Sequence, residues 1–228
     1  SEDNIPYQPK SFLKVSAKGV SEGDFVMVTG YPGRTNRYRT ANEVENQFEW
    51  AYPEGKQLRE RLMEIIEETA VEGSDERIKY EGLLAGLANY AKNFTSMIEF
   101  YGKSPMLAER QDREQQLSNW INQNNQRKQR YGKTLSVLDG LIVQSQQHKE
   151  RDLILGYMRY TTMLPTARRL YRLANENLLK DMAREPGYQE RDMIRFKSGM
   201  ERIDRRYASS VDRAMLFEMI KRYAGLPA

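Results

Sequence analysis

A change of hydrophobic period near residue 40 constrains this chain more than any other feature. Phe25-Val26-Met27-Val28-Thr29 is a continuous apolar and β-branched run, bracketed by Gly23-Asp24 and by Gly30-Tyr31-Pro32-Gly33. Such a run predicts a buried strand. Proline fixes φ and glycine permits a positive φ, so the strand ends at that turn. Phe12, Leu13 and Val15 predict a second short strand, with a turn over residues 19–23. From about Thr40 onward the apolar residues recur at helical spacing instead. One or two strands leave their edges unpaired and are marginal in water. The arm therefore predicts a sheet encoded elsewhere, and the chain reads as a piece of a larger protein.

The helical part is explicit. Leu58, Leu62, Ile65, Ile66 and Ala70 follow i, i+4, i+7, i+8, i+12 after an expected break at Pro53. Gly73-Ser74-Asp75 ends that helix and caps the next. Leu83, Leu87, Ala91, Phe94, Ile98 and Tyr101 make a second stripe, closed by Gly102 and Pro105. Residues 106–131 are helical but polar, with Leu117, Trp120 and Ile121 as their stripe. An apolar stretch follows over 135–143. Pro165 fits the first turn of a helix carrying Ala167, Leu170, Tyr171, Ala174 and Leu178. After Pro186-Gly187, Met193, Phe196, Met200, Ile203 and Tyr207 alternate three and four like a coiled-coil seam. Val211, Met215, Met219, Ile220 and Tyr223 form a last helix. The expected fold is mainly α, an antiparallel bundle or array of roughly seven or eight helices. It carries a short N-terminal β arm, with residues 1–40 as the arm and 41–228 as the helical domain.

Composition removes several chemistries. There is no cysteine, so disulfides, thiolate nucleophiles and Cys-ligated zinc are excluded. The single histidine, His148, lies in Gln-Gln-His-Lys-Glu with nothing apolar around it and reads as a solvated surface residue. No serine stands in a Gly-x-Ser-x-Gly elbow. Glu67-Glu68 are adjacent helical positions that do not face each other. The chain is therefore expected to contain no catalytic residues, no metal site and no cofactor. Lys and Arg number 36 against 32 Asp and Glu, a net of +4 spread along the chain, so no nucleic-acid partner is expected. Arg34, Arg37 and Arg39, and the Gln/Asn-rich stretch from Gln111 to Gln129, read as hydrated surface. No run reaches the ~18–20 apolar residues that span a bilayer, so no membrane is expected as a partner. Ser1-Glu2-Asp3-Asn4 lacks a signal-peptide pattern, which in a fragment says nothing of export.

One helical face carries a different pattern. Gly82, Gly86, Asn89 and Asn93 fall within about 60° of each other at 100° per residue. They lie away from the Leu83/Leu87/Ala91/Phe94 stripe. The glycines form a shallow groove that a backbone or ligand can approach, and the amides offer donors and acceptors beside it. Spacing alone favours close helix–helix packing at these glycines.

Several longer motifs then align with one family. Pro6-Tyr7-Gln8-Pro9-Lys10, Gly23 to Val28, and the run from Gly30 to Tyr38 resemble bacterial serine dipeptidyl peptidases of the dipeptidyl-peptidase 7 and 11 family. So do Asn89-Tyr90-Ala91-Lys92-Asn93-Phe94, Gly187-Tyr188-Gln189-Glu190-Arg191-Asp192 and Asp204-Arg205-Arg206-Tyr207. The resemblance implies a chymotrypsin-like double barrel with a helical domain inserted in its second barrel. By that resemblance the chain is the insertion plus the strand leading into it, and the catalytic Ser, His and Asp lie outside it. It further implies that a helical-domain asparagine contacts the substrate's N-terminal amine. Asn89 is the first candidate and Asn93 the second. The implied partners are an oligopeptide with a free N-terminus and the missing barrel, with homodimerisation left open. The implied location is periplasmic or secreted. The alternative reading is a non-enzymatic helical protein-interaction module.

Overall fold

A computed structural model describes residues 6–31, 33, 35–203 and 205–227. Pro32 and Arg34 of the expected turn, and Asp204 of the 204–207 motif, lie outside the described residues. The chain divides into two units, Ser1–Tyr38 and Arg39–Ala228.

The helical unit begins with a capping box. The Thr40 hydroxyl accepts from the Glu43 backbone N–H at 3.2 Å, and the Glu43 carboxylate accepts from the Thr40 N–H at 2.9 Å. Helix α1 (Ala41–Glu45) runs into a π-helical stretch, Asn46–Ala51, and then into α2 (Tyr52–Thr69). The expected break at Pro53 is absent. Proline lacks an N–H, and its ring clashes with the carbonyl four residues back in a regular helix. The π-helical stretch re-spaces the backbone just before Pro53, so the proline enters in the first turn of α2 and the helix continues. Gly73, at φ +81°, turns the chain. The Ser74 hydroxyl then caps α3 (Asp75–Lys103), accepting from Arg77 N–H at 3.2 Å.

The remaining helices are α4 (Met106–Asn122), α5 (Asn125–Tyr131), α6 (Thr134–Gln146), α7 (Lys149–Tyr157), α8 (Met163–Glu176), α9 (Met193–Glu201) and α10 (Ser209–Ala224). Short 3₁₀ turns cover Met158–Tyr160, Asp181–Ala183 and Glu190–Asp192. The polar 106–131 segment splits at Asn124. Its side-chain oxygen accepts from the Gln126 and Arg127 N–H groups at 2.9 and 3.1 Å, which offers the backbone an alternative to continuing the helix. The coiled-coil-like seam does not form as one element. Helix α9 ends at Glu201, so Ile203 falls in the turn beyond it and Tyr207 in the irregular segment before α10.

The core sits where α2, α3, α7 and α10 meet. Helix α2 contributes Leu58, Leu62, Ile65 and Ile66; α3 contributes Tyr80, Leu84 and Leu87; α10 contributes Val211, Met215 and Met219. All are buried, and each aliphatic side chain gains roughly 1.5–3 kcal/mol from leaving water. The unbranched methionines of α10 fill the gaps between branched residues. Asp212 is buried beside this core at 3% exposure. Its carboxylate accepts from the backbone N–H groups of Thr162 and of Met163, the latter at 3.1 Å. A side chain of α10 thereby satisfies the orphan donors at the start of α8. The Tyr80 phenol is raised above its ordinary range by burial, with the Asp212 charge adding to it.

The Ser1–Tyr38 unit corrects the expected β arm. No described residue from 6 to 38 is in a strand, and all of them are exposed. The expected turn is present in local form. Ser21 N–H donates to the Asp24 carboxylate at 2.8 Å, Asp24 N–H donates to the Ser21 carbonyl at 3.1 Å, and Gly23 adopts φ +92°. The Phe25–Thr29 run has no neighbouring strand among the described residues of its own unit. Its backbone N–H and C=O groups gain nothing from extended pairing, and its side chains have no face to cover.

Candidate functional site

Three strips run along α3 and can be placed by its periodicity. Taking Gly82 as zero and about 100° per residue, Gly82, Gly86, Asn89 and Asn93 centre near 10°. Tyr90, Phe94 and Tyr101 centre near 100°, and the buried Tyr80, Leu84, Leu87 and Ala91 near 170°. The glycine–amide strip thus points away from the core, with the aromatic strip between the two.

Exposure agrees with this geometry. Gly82, Gly86, Asn89 and Asn93 are all exposed. A Cβ built on either glycine meets nothing within 4 Å. Close helix–helix packing, the reading that spacing alone favours, therefore does not occur at these glycines among the described residues. The strip is an open surface bordered by two amides. Its glycines cost the helix roughly 1 kcal/mol each relative to alanine, and no packing within this unit uses them.

The aromatic strip holds α3 against the first helices. Tyr101 stacks on Phe48 with centroids 4.8 Å apart, Phe48 meets Tyr52 edge-on at 5.0 Å, Tyr52 lies 4.7 Å from Phe94, and Tyr90 lies 6.4 Å from Phe94. Such pairs are each worth about 0.5–1.5 kcal/mol beyond the area they bury. The Tyr101 hydroxyl donates to Glu49 at 3.0 Å, and its pKa is pushed up to about 12 by burial first and then by that carboxylate.

At the end of this row lies Arg59, on α2 and only 7% exposed. Its guanidinium carbon is 4.5 Å from the Phe94 ring, 5.0 Å from Tyr157 and 5.3 Å from Tyr90. Nη1 donates to the Gly55 carbonyl at 2.9 Å and to the Tyr157 hydroxyl, which in turn donates to Gly55 O at 2.7 Å. Nε has no partner, and no described carboxylate pairs with this cation. Burial pulls its pKa down, with the Tyr160 phenol opposing. Arginine remains charged, so three ring faces stand in for a counter-ion. Gly55 is required here: a Cβ would lie 2.9 Å from Phe94 Cε2 and 3.2 Å from Arg59 Nη1. This cage locks α2 and α7 to the aromatic strip that adjoins Asn89 and Asn93.

The sequence reading missed Arg59, Tyr157 and the role of Gly55. A signal existed: Gly55, Arg59, Leu62 and Ile66 share one α2 face at i, i+4, i+7, i+11, so an arginine interrupts an apolar stripe. His148 is exposed in the turn between α6 and α7. Among the described residues, no group of three His, Asp or Glu side chains could hold a metal ion. No described helix is long and apolar enough to cross a membrane.

Comparison with known proteins gives this surface a context. The peptidase S46 family model matches residues 1–228. An Asp/Glu-specific dipeptidyl-peptidase of Shewanella putrefaciens is 35% identical over 227 residues, covering 100% of this chain and 31% of that protein. Dipeptidyl-peptidase 7 of Capnocytophaga gingivalis is 30% identical over 211 residues, covering 92% of this chain and 28% of its own length. Dipeptidyl-peptidase 7 of Porphyromonas endodontalis is 29% identical over 220 residues, covering 96% and 26% respectively. The chain spans about a third or less of these relatives. With a family match from end to end, the chain belongs to the peptidase S46 family.

Proposed function

We propose that this chain is the helical cap and substrate-binding part of a serine dipeptidyl peptidase that releases dipeptides from peptide N-termini. The observation that carries the reading is the open amide strip on α3, in a chain matched throughout by a peptidase family. A dipeptidyl peptidase measures two residues from the free amine to the scissile carbonyl, at most ~7 Å of extended chain. An ammonium removed from water needs acceptors, and an amide oxygen supplies one. Asn89 fills that role first and Asn93 second. The Gly82–Gly86 groove leaves room for a peptide or a covering domain to come close.

In this reading the nucleophile, base and oxyanion hole belong to a β-barrel domain outside this chain. The Phe25–Thr29 run becomes a strand when that barrel supplies its neighbours. The cap closes over the barrel, excludes water and orders the substrate. The parent enzyme acts in the periplasm or outside the cell, and the 228-residue chain alone does not hydrolyse dipeptidyl arylamides.

In the intact enzyme, Asn89→Ala lowers kcat/KM for dipeptidyl substrates by roughly tenfold or more, the loss of one hydrogen bond to a charged group. An unchanged kcat/KM removes Asn89 from the site, and the same assay on Asn93→Ala then decides the second candidate. Inhibitor-sensitive turnover by the isolated chain overturns the cap reading.

A further inference from the structure

A second concave surface lies away from α3. Helix α8 is strongly amphipathic, yet it buries no residue: Leu164 and Leu170 remain about half exposed. Beside it, residues of α7, the Met158–Tyr160 turn, α8 and the turn after Asp181–Ala183 line a groove of about 550 Å³. Its walls carry Arg159, Arg168, Arg169 and Arg172, and no acidic residue lines it. Leu155, Met158, Leu164 and Pro165 contribute its apolar part.

Most of this charge is held in place without being neutralised. The Arg159 guanidinium lies 5.3 Å from the Tyr160 ring, and Arg169 lies 4.9 Å from Phe196. Ring faces orient a guanidinium but leave its formal charge intact. Arg172 differs: it meets the Tyr188 ring at 5.6 Å and pairs with Glu185 and, at 3.9 Å, with Glu176. Among the described residues, Arg159, Arg168 and Arg169 have no carboxylate partner. Like charges at i, i+4, as at Arg168 and Arg172, are unfavourable in a helix. A chain with 36 cationic and 32 anionic side chains has therefore concentrated unpaired cations around one hollow.

We propose that this groove binds an acidic, extended peptide segment, its carboxylates paired with Arg159, Arg168 and Arg169 and its aliphatic atoms on Leu155 and Leu164. Planar guanidinium forks match carboxylates bidentately, and the volume falls within the range of specific ligand sites. A single strand of nucleic acid fits less well, since the one ring lining the groove, Tyr188, is already engaged by Arg172 and Phe196. A membrane surface fits less well, since the apolar atoms line a hollow instead of a projecting face. The inference stands on this groove and is independent of the amide strip.

The test uses the 228-residue chain and a fluorescent Glu/Leu peptide about ten residues long. Its Gln/Leu counterpart, a single-stranded oligonucleotide and phosphatidylglycerol vesicles serve as rival probes. The Glu/Leu peptide is expected to bind at least about tenfold more tightly than the Gln/Leu peptide, and to weaken as salt rises. The double variant Arg159→Gln/Arg168→Gln loses at least about tenfold in affinity with its circular dichroism melting curve unchanged, since both side chains are exposed. Equal binding of the two peptides, an unaffected double variant, or preference for the oligonucleotide or the vesicles overturns the proposal. None of these results bears on Asn89, whose failure is read from kcat/KM in the intact enzyme.

Discussion

The Ser1–Tyr38 arm and the Arg39–Ala228 helical unit are built from similarly apolar stretches, yet they meet opposite fates. Phe25 and Val28 are 92% and 95% exposed, while Leu62 and Met215 are both 0% exposed. Hydrophobicity along the chain does not distinguish them. A helix satisfies its own backbone, so an amphipathic segment needs only another stripe to bury its face, and α2, α3 and α10 supply one another. A strand satisfies its backbone only through a neighbour. The arm has none among the described residues of its own unit, and its apolar run stays open to water.

Mutation can break or sharpen this contrast. Leu62→Ala in the centre of α2 is expected to cost about 3–5 kcal/mol in urea unfolding, the sum of lost transfer energy and the cavity left behind. A cost below about 1 kcal/mol shows that the α2–α3–α10 contact is not the stabilising centre. Asp212→Ala removes the charged acceptor at the start of α8 and is expected to cost about 2 kcal/mol. Hydrogen exchange measured on that variant should quicken first at residues 161–166, because the Thr162 and Met163 amides lose their acceptor and the first turn of α8 loosens. Uniform change across the chain, or none, shows that α8 is held by something else. The smallest effect is expected in the arm: Phe25→Ala changes stability by less than about 0.5 kcal/mol. A loss like that of Leu62→Ala means the arm is packed in solution, and the contrast fails.

How much was legible depended on whether a feature is local. The α2 stripe and the Val211, Met215 and Met219 part of the α10 stripe are buried as expected, because apolar spacing and helix period are one property of a short window, while Ile220 and Tyr223 of the expected α10 stripe are exposed. The Ser74 cap was legible for the same reason. Pro53 misled because its tolerance depends on the π-helical stretch before it, which has no short-range signature. The 193–207 seam misled because spacing continued while the backbone turned. The Arg59 cage was hidden because Gly55, Phe94 and Tyr157 come from three helices, and their meeting depends on how those helices cross. At the amide strip, periodicity grouped Gly82, Gly86, Asn89 and Asn93 on one face but favoured helix–helix packing, which does not occur at these glycines among the described residues. Whether a glycine face is packed or bare depends on the elements around it.

The residue order alone determined that the chain is mainly helical, which side of α2 is apolar, that no cysteine chemistry operates and, through its longer motifs, the peptidase family. Those properties follow from spacing and identity within a few turns. Folding decided which apolar faces found a counterpart, that Arg59 is enclosed by rings, and that the Asn89 strip and the arginine groove remain open. Those outcomes require surfaces distant in sequence to meet, as those of Arg59 and Tyr157 do, and burial is a property of the pair.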